Sequence, residues 1–149
     1  MNKIEAVVCQ SKYAKAPHLM IAVDGIPWDI WLSSAVQNDD YLGLVPAISS
    51  LDNNDERSIA WKRIYPPATG KHIAPILICP DDLDFSCTVV VAEISRQPGV
   101  VIWHRSGLDR TQTNHANDIG TNVQWFPEVG LLQFTEQEYT NCLEQFKNF

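Results

Sequence analysis

An α+β fold, a mostly antiparallel β-sheet with a mid-chain helix and a C-terminal helix packed on it, is what this 149-residue sequence predicts. Three observations carry that reading. The middle of the chain holds β-branched apolar runs, among them 73–79 and 87–94, and such residues fit a pleated, covered surface. Asp24-Gly25 and Pro98-Gly99 supply the turn chemistry that joins neighbouring antiparallel strands. Two segments, 53–64 and 135–146, carry instead the caps and apolar spacing of helices.

Taken in order, residues 4–9 read as a short strand, and 18–23 and 26–32 as a hairpin about Asp24-Gly25, a dipeptide that tolerates the positive φ angles of a type I′ turn. In the 26–32 strand Ile26, Trp28, Ile30 and Leu32 would face one way and Pro27, Asp29 and Trp31 the other. Pro27 cannot donate to a ladder, so that strand is expected to start irregularly or to lie at an edge. The 53–64 helix has Asp52 or Asn53 as its cap, acids Asp55 and Glu56 in its first turn, Lys62 and Arg63 in its last, and Pro66-Pro67 as its stop. The run 73–79 is interrupted by Pro75, whereas 87–94 is apolar on both faces and suits a central strand. After the Pro98-Gly99 turn, residues 100–105 return antiparallel. Residues 106–122 are almost wholly polar and read as a long loop. Short strands are expected at 123–126 and 131–134. Thr135-Glu136-Gln137-Glu138 is a capping box for the last helix, whose Tyr139, Cys142, Leu143 and Phe146 share one face.

Composition bounds the function. At 149 residues the chain is expected to form a single domain, large enough to bury a core without disulfides or a structural metal. Cys9, Cys79, Cys87 and Cys142 are scattered without a C-x-x-C pair, and such lone cysteines commonly act as small buried hydrophobes. The expected compartment is the cytoplasm, since the N-terminus lacks the apolar stretch of a signal peptide and no run reaches a membrane span. Eleven basic against eighteen acidic residues leave a net charge of −7, which disfavours nucleic acid and anionic membrane as partners. The charge is unevenly placed. Asp24, Asp29, Asp39, Asp40, Asp52, Asp55 and Glu56 fall between positions 24 and 56 with no Lys or Arg among them, and elsewhere acids and bases balance. Such a patch would steer a basic partner electrostatically, or be no more than a solvated face.

The chain carries no phosphate-binding glycine loop, zinc-protease motif, nucleophile elbow or calcium loop. No cofactor or metal is called for. Asp81, Asp82 and Asp84 could hold a hard cation, but they also read as a solvated turn between two strands. Acid–base chemistry would have to come from His104, His115, Glu93 and Asp109, brought together by the 106–122 loop. Trp28, Trp61 and Trp103 read as core. Trp31, sharing a face with Asp29 just before Asp39-Asp40, is either an aromatic anchor in an acidic rim or a further core residue.

The profile as a whole, small, acidic, tryptophan-rich and without a catalytic signature, resembles bacterial immunity proteins of polymorphic-toxin and contact-dependent growth-inhibition systems. The stretch from Ile78-Cys79-Pro80-Asp81-Asp82 to Val91, continued by Trp103-His104-Arg105-Ser106-Gly107-Leu108-Asp109, is similar to small bacterial proteins of that kind. The resemblance implies a cytoplasmic toxin inhibitor that binds a cognate toxin domain, often a basic nuclease, and covers its active site. Charge and expected exposure then nominate Asp29, Trp31, Asp39, Asp40, Asp55, Glu56, Asp81, Asp82 and Asp84 as partner-binding residues. Two other readings stand beside it: a small enzyme using His104, His115 and the 106–122 loop, and a structural subunit docking through the sheet edge beside Pro27.

Overall fold

The structure, a computed structural model, describes residues 1–10 and 16–148. Strands β1 (Ile4–Cys9), β2 (His18–Val23) and β3 (Ile26–Pro27) form one antiparallel sheet. The turn between β2 and β3 is made by Asp24 and Gly25, both at positive φ (52° and 82°), as their small or absent side chains permit. Asp24 also accepts hydrogen bonds from the Lys3 N–H and the Asn2 side chain, both at 2.8 Å, tying the N-terminus to the turn.

Beyond Pro27 the chain departs from the sequence expectation. Residues Trp28–Val36 form helix α1, and only Ile26–Pro27 is strand. The alternating reading of 26–32 set Ile30 on one face with Trp28 and Leu32, yet those two are fully buried and Ile30 is 47% exposed. Trp28, Trp31, Leu32, Ala35 and Val36 recur at helical spacing and are the ones turned to the core. The helix ends where Gln37 adopts a left-handed conformation and the Asn38 N–H returns to the Ser33 carbonyl at 3.1 Å. The edge that β3 offers is two residues long, which leaves little ladder for docking.

The second sheet runs β4 (Val45–Pro46), β5 (His72–Ile78), β6 (Val89–Gln97), β7 (Val100–Asp109) and β8 (Val123–Trp125), with β9 (Leu132–Thr135) also on β7. All its pairings are antiparallel. Pro75 is tolerated in β5 because β4 pairs only with Leu77 and Ile78, so at Pro75 that side of the strand faces no ladder. A bulge between Pro75 and Leu77 follows. The Pro98-Gly99 turn forms as expected, with Gly99 at φ 78°. Strand β7 runs on to Asp109, so 106–109 are not loop. Ser106 is buried, and a Cβ on Gly107 would lie 2.6 Å from the Gln124 carbonyl oxygen. Small and polar residues there serve close strand packing rather than a loop.

Helix α2 (Ala47–Ser50) precedes α3 (Asn54–Ile64), which is capped by Asn53, whose side-chain oxygen accepts the Asp55 and Glu56 N–H groups. Helix α4 (Glu136–Lys147) is capped by Thr135 and buries Tyr139, Cys142, Leu143 and Phe146 against β1, β7 and β9. At the centre Trp103 of β7 meets Trp28, Phe134 and Tyr139. The Trp103 indole N–H donates to the Tyr139 hydroxyl (3.2 Å), which donates in turn to the Ile64 carbonyl (2.5 Å). One buried relay thus joins β7, α4 and α3. Among the described residues no helix is long and apolar enough to cross a membrane.

Candidate functional site

Three segments distant in sequence converge at the N-terminus of α3. The first is the start of α3 with the residues just before it, presenting Asp52, Asp55 and Glu56. The second is the β5–β6 connection, residues 79–88. The Asp52 N–H donates to the Leu83 carbonyl (3.1 Å), and the Phe85 N–H donates to Glu56 Oε2 (3.3 Å). These bonds tie the 52–56 segment to the connection that carries Asp81, Asp82 and Asp84. Asp52, Asp55, Asp81 and Asp82 are exposed, and Asp84 is half-buried. Arg57, the first cation of α3, has Nε and Nη2 both on the Leu51 carbonyl.

The third segment is residues 110–122, folded back by its own polar groups. Asp109 Oδ1 accepts from Thr111 Oγ1 (2.8 Å) and from the Gly120 N–H (2.9 Å), Thr113 donates to Asp118 (2.8 Å), and the Arg110 N–H pairs with the Asn122 carbonyl (2.7 Å). Arg63 of α3 pins the loop from beneath, donating to the carbonyls of Ile119 (2.8 Å) and Asn117 (2.7 Å). That fork geometry is what a guanidinium supplies and an ammonium does not. Between the three segments lies a cleft of about 410 Å³ whose walls include Asp55, Glu56, Ser86, Asp109, His115 and Ile119, and no Lys or Arg.

The cleft is therefore polar and negative. Burial pushes the Glu56 carboxyl above its ordinary range; the Phe85 N–H opposes this and nearby Asp84 adds to it. Glu56 Oε1 is buried without a partner. A cationic or hydrogen-bond-donating group entering the cleft would relieve both.

The nominated residues are distributed unevenly. Asp55 and Glu56 line the cleft and Asp84 acts on Glu56, while Asp81 and Asp82 lie on the adjoining β5–β6 connection outside the cleft wall. Glu56 does not project outward as a first-turn acid would, because the β5–β6 connection covers it. Asp29 is buried at 7% exposure and accepts the Gly43 N–H at 3.0 Å. The helical course of 28–36 turns it inward, so it offers nothing to a partner. Trp31 is half-buried, tilted against Trp28 at 5.1 Å. Asp39 and Asp40 are exposed on a separate 3₁₀ turn, whose Tyr41 packs edge-on to Phe126.

His104 and His115 have different surroundings. His104 Nε2 is 2.7 Å from Ser95 Oγ, and burial, then Lys71, hold its pKa below the ordinary value while Glu93 opposes them. Glu93 pairs with Arg105 at 3.1 Å. Neither His104 nor Glu93 lines the cleft. Sequence reasoning missed Arg63 as the loop's anchor and the role of Asp109 as its hinge of hydrogen bonds. An Arg in a last helical turn carries no signal beyond the helix dipole.

The chain was compared with models of known protein families, with curated proteins and with solved structures. It matches none of them.

Proposed function

We infer that this is a non-catalytic immunity protein: it binds a cognate, basic toxin domain, of nuclease type, in the cytoplasm and occludes that toxin's active site. The observation that carries the reading is a cleft walled by Asp55, Glu56 and Asp109 and free of lysine and arginine, beside which the acidic β5–β6 connection is tied to the 52–56 segment. A cleft of this kind accepts a basic side chain from a partner, and the surrounding carboxylates raise the encounter rate. It repels phosphates, so nucleic acid is not the ligand. The resemblance to growth-inhibition immunity proteins supplies the partner class.

Protection in cells tests this directly. A toxin-like reading frame immediately upstream would be co-expressed with the wild-type chain and with the Asp52→Lys, Asp55→Lys, Asp81→Lys variant. The wild type should restore growth, and the triple variant, folded as judged by circular dichroism, should not. His115→Ala should still protect, because occlusion needs contact rather than proton transfer. A His115→Ala protein that binds the toxin normally yet fails to protect would move the assignment to an enzyme working through this cleft.

A further inference from the structure

The β5–β6 connection holds a second constellation. Cys79 directly follows β5, its N–H paired to the Thr88 carbonyl at 3.2 Å, so it lies opposite Thr88 with Cys87 the adjacent residue at the mouth of the hairpin. The chain then coils tightly. The Leu83 N–H returns to the Cys79 carbonyl (3.2 Å), and Leu83 takes a left-handed conformation (φ 54°). This brings Asp82 back over Cys79. The two sulfurs and one Asp82 carboxylate oxygen all lie within 4.8 Å of one another, and among the described residues no other His, Cys, Asp or Glu set is so gathered. Neither Asp81 nor Asp84 belongs to it. Asp84 Oδ1 is already occupied by the Ser86 N–H (2.9 Å) and hydroxyl (2.5 Å).

We propose that Cys79, Asp82 and Cys87 are the protein ligands of a zinc ion at the mouth of this hairpin, with water in the fourth position. Four features of the site support it. The donors are soft: two thiolates select zinc over magnesium or calcium, and the carboxylate disfavours copper(I). The separation fits, since a tetrahedral ion with bonds of about 2.3 Å to sulfur and 2.0–2.2 Å to oxygen sets its ligand atoms about 3.5–3.8 Å apart. Closing the shell requires at most about 1 Å of movement in an exposed loop. The Cys79-Pro80-Asp81-Asp82 spacing places two ligands three residues apart, as in zinc turns built on C-x₂-C. Asp82 and Cys87 are exposed, so the ion has a path in.

The consequence is a metal-pinned loop beneath the acidic face, independent of whether the face binds a toxin. The test uses the purified, reduced chain and zinc alone. After zinc loading and dialysis, elemental analysis should give one zinc per chain. Cobalt(II) should give tetrahedral d–d bands together with thiolate charge-transfer absorption. Cys79→Ser, Cys87→Ser together should abolish both signals. Asp82→Asn should weaken zinc affinity by at least about tenfold, the lower range seen even for groups outside a metal's shell, while Asp81→Asn and Asp84→Asn should not. If the double serine variant fails to fold, alkylation of the wild type decides: zinc should shield Cys79 and Cys87, mapped by mass spectrometry. Three results would each overturn the site: less than stoichiometric uptake by the reduced folded chain, uptake that survives the double serine variant, or alkylation unaffected by zinc.

Discussion

The Tyr139 hydroxyl carries more of the core than any sequence pattern reveals. It accepts from the Trp103 indole and donates to the Ile64 carbonyl, inside a region closed to water. Burial drives its pKa far above the ordinary value, so it stays a neutral hydroxyl throughout the working pH range. Tyr139→Phe keeps the ring and leaves a buried N–H and a buried carbonyl unsatisfied, at about 1–3 kcal/mol for each group. Urea denaturation should register a loss of about 2–6 kcal/mol on that basis, with Trp103 fluorescence perturbed in the folded state. A loss below half a kilocalorie would mean the relay is not formed. Two glycines make a matched pair at the same scale. Gly120 (φ 87°) and Gly70 (φ 75°) both need the left-handed region, but a Cβ on Gly120 would lie 2.6 Å from Ile73 Cγ2 and one on Gly70 meets nothing within 4 Å. Gly70→Ala should cost about 1–2 kcal/mol from backbone strain alone. Gly120→Ala adds overpacking of about 1–3 kcal/mol, and thermal melts of the two variants should rank them accordingly.

Between elements, one carboxylate does the joining. Glu136 opens α4 and accepts from the Tyr65 hydroxyl (2.6 Å), the Gly99 N–H (3.1 Å) and Arg96 (3.3 Å). Arg96 also bonds to the Pro66 carbonyl and stacks on Tyr65. The end of α3, the β6–β7 turn and the start of α4 therefore meet on one side chain. Its pKa is held below the ordinary 4.5, chiefly by the Tyr65 hydroxyl, then by the Gly99 N–H and Arg96. A depressed folded-state pKa contributes stability that is complete above the unfolded value and disappears as pH falls through the folded one. Glu136→Gln should accordingly melt below the wild type at pH 7, and the difference should close as the pH drops below 4.5. A gap in melting temperature that persists unchanged to pH 2 would assign the effect to packing.

For the whole molecule, the acidic face makes a kinetic prediction. Attraction between an exposed carboxylate surface and a basic partner acts over about 8–10 Å at ordinary salt and farther when salt is low. The Asp52→Lys, Asp55→Lys, Asp81→Lys variant leaves Asp82 and both thiols untouched, so it tests the face without touching the proposed zinc ligands. Its association rate with the proposed toxin partner should fall at least about tenfold at low ionic strength and approach the wild-type rate as salt rises. Surface plasmon resonance at two salt concentrations measures this. An unchanged on-rate would shift the interface to the separate turn carrying Asp39 and Asp40.

What local chemistry dictates could be read from the chain directly. Helix α3 follows from its Asn53 cap and charge order, α4 from Thr135 and its apolar face, and both hairpins from Asp24-Gly25 and Pro98-Gly99, because caps and turns are settled within four or five residues. The α+β class followed from those pieces. Segment 26–32 satisfied two periods at once, and only packing chose between them: α1 seats Trp28 on Trp103 and leaves Ile30 in solvent. That choice also buried Asp29. The acidic composition of 24–56 was plain in the sequence, but its division was not. The β5–β6 connection covers Glu56 through the Phe85 N–H and is held to Asp52 through the Leu83 carbonyl. Such contacts join residues some thirty positions apart, and no local propensity encodes them; they exist because burying two apolar strands beside α3 leaves the connecting loop one place to go.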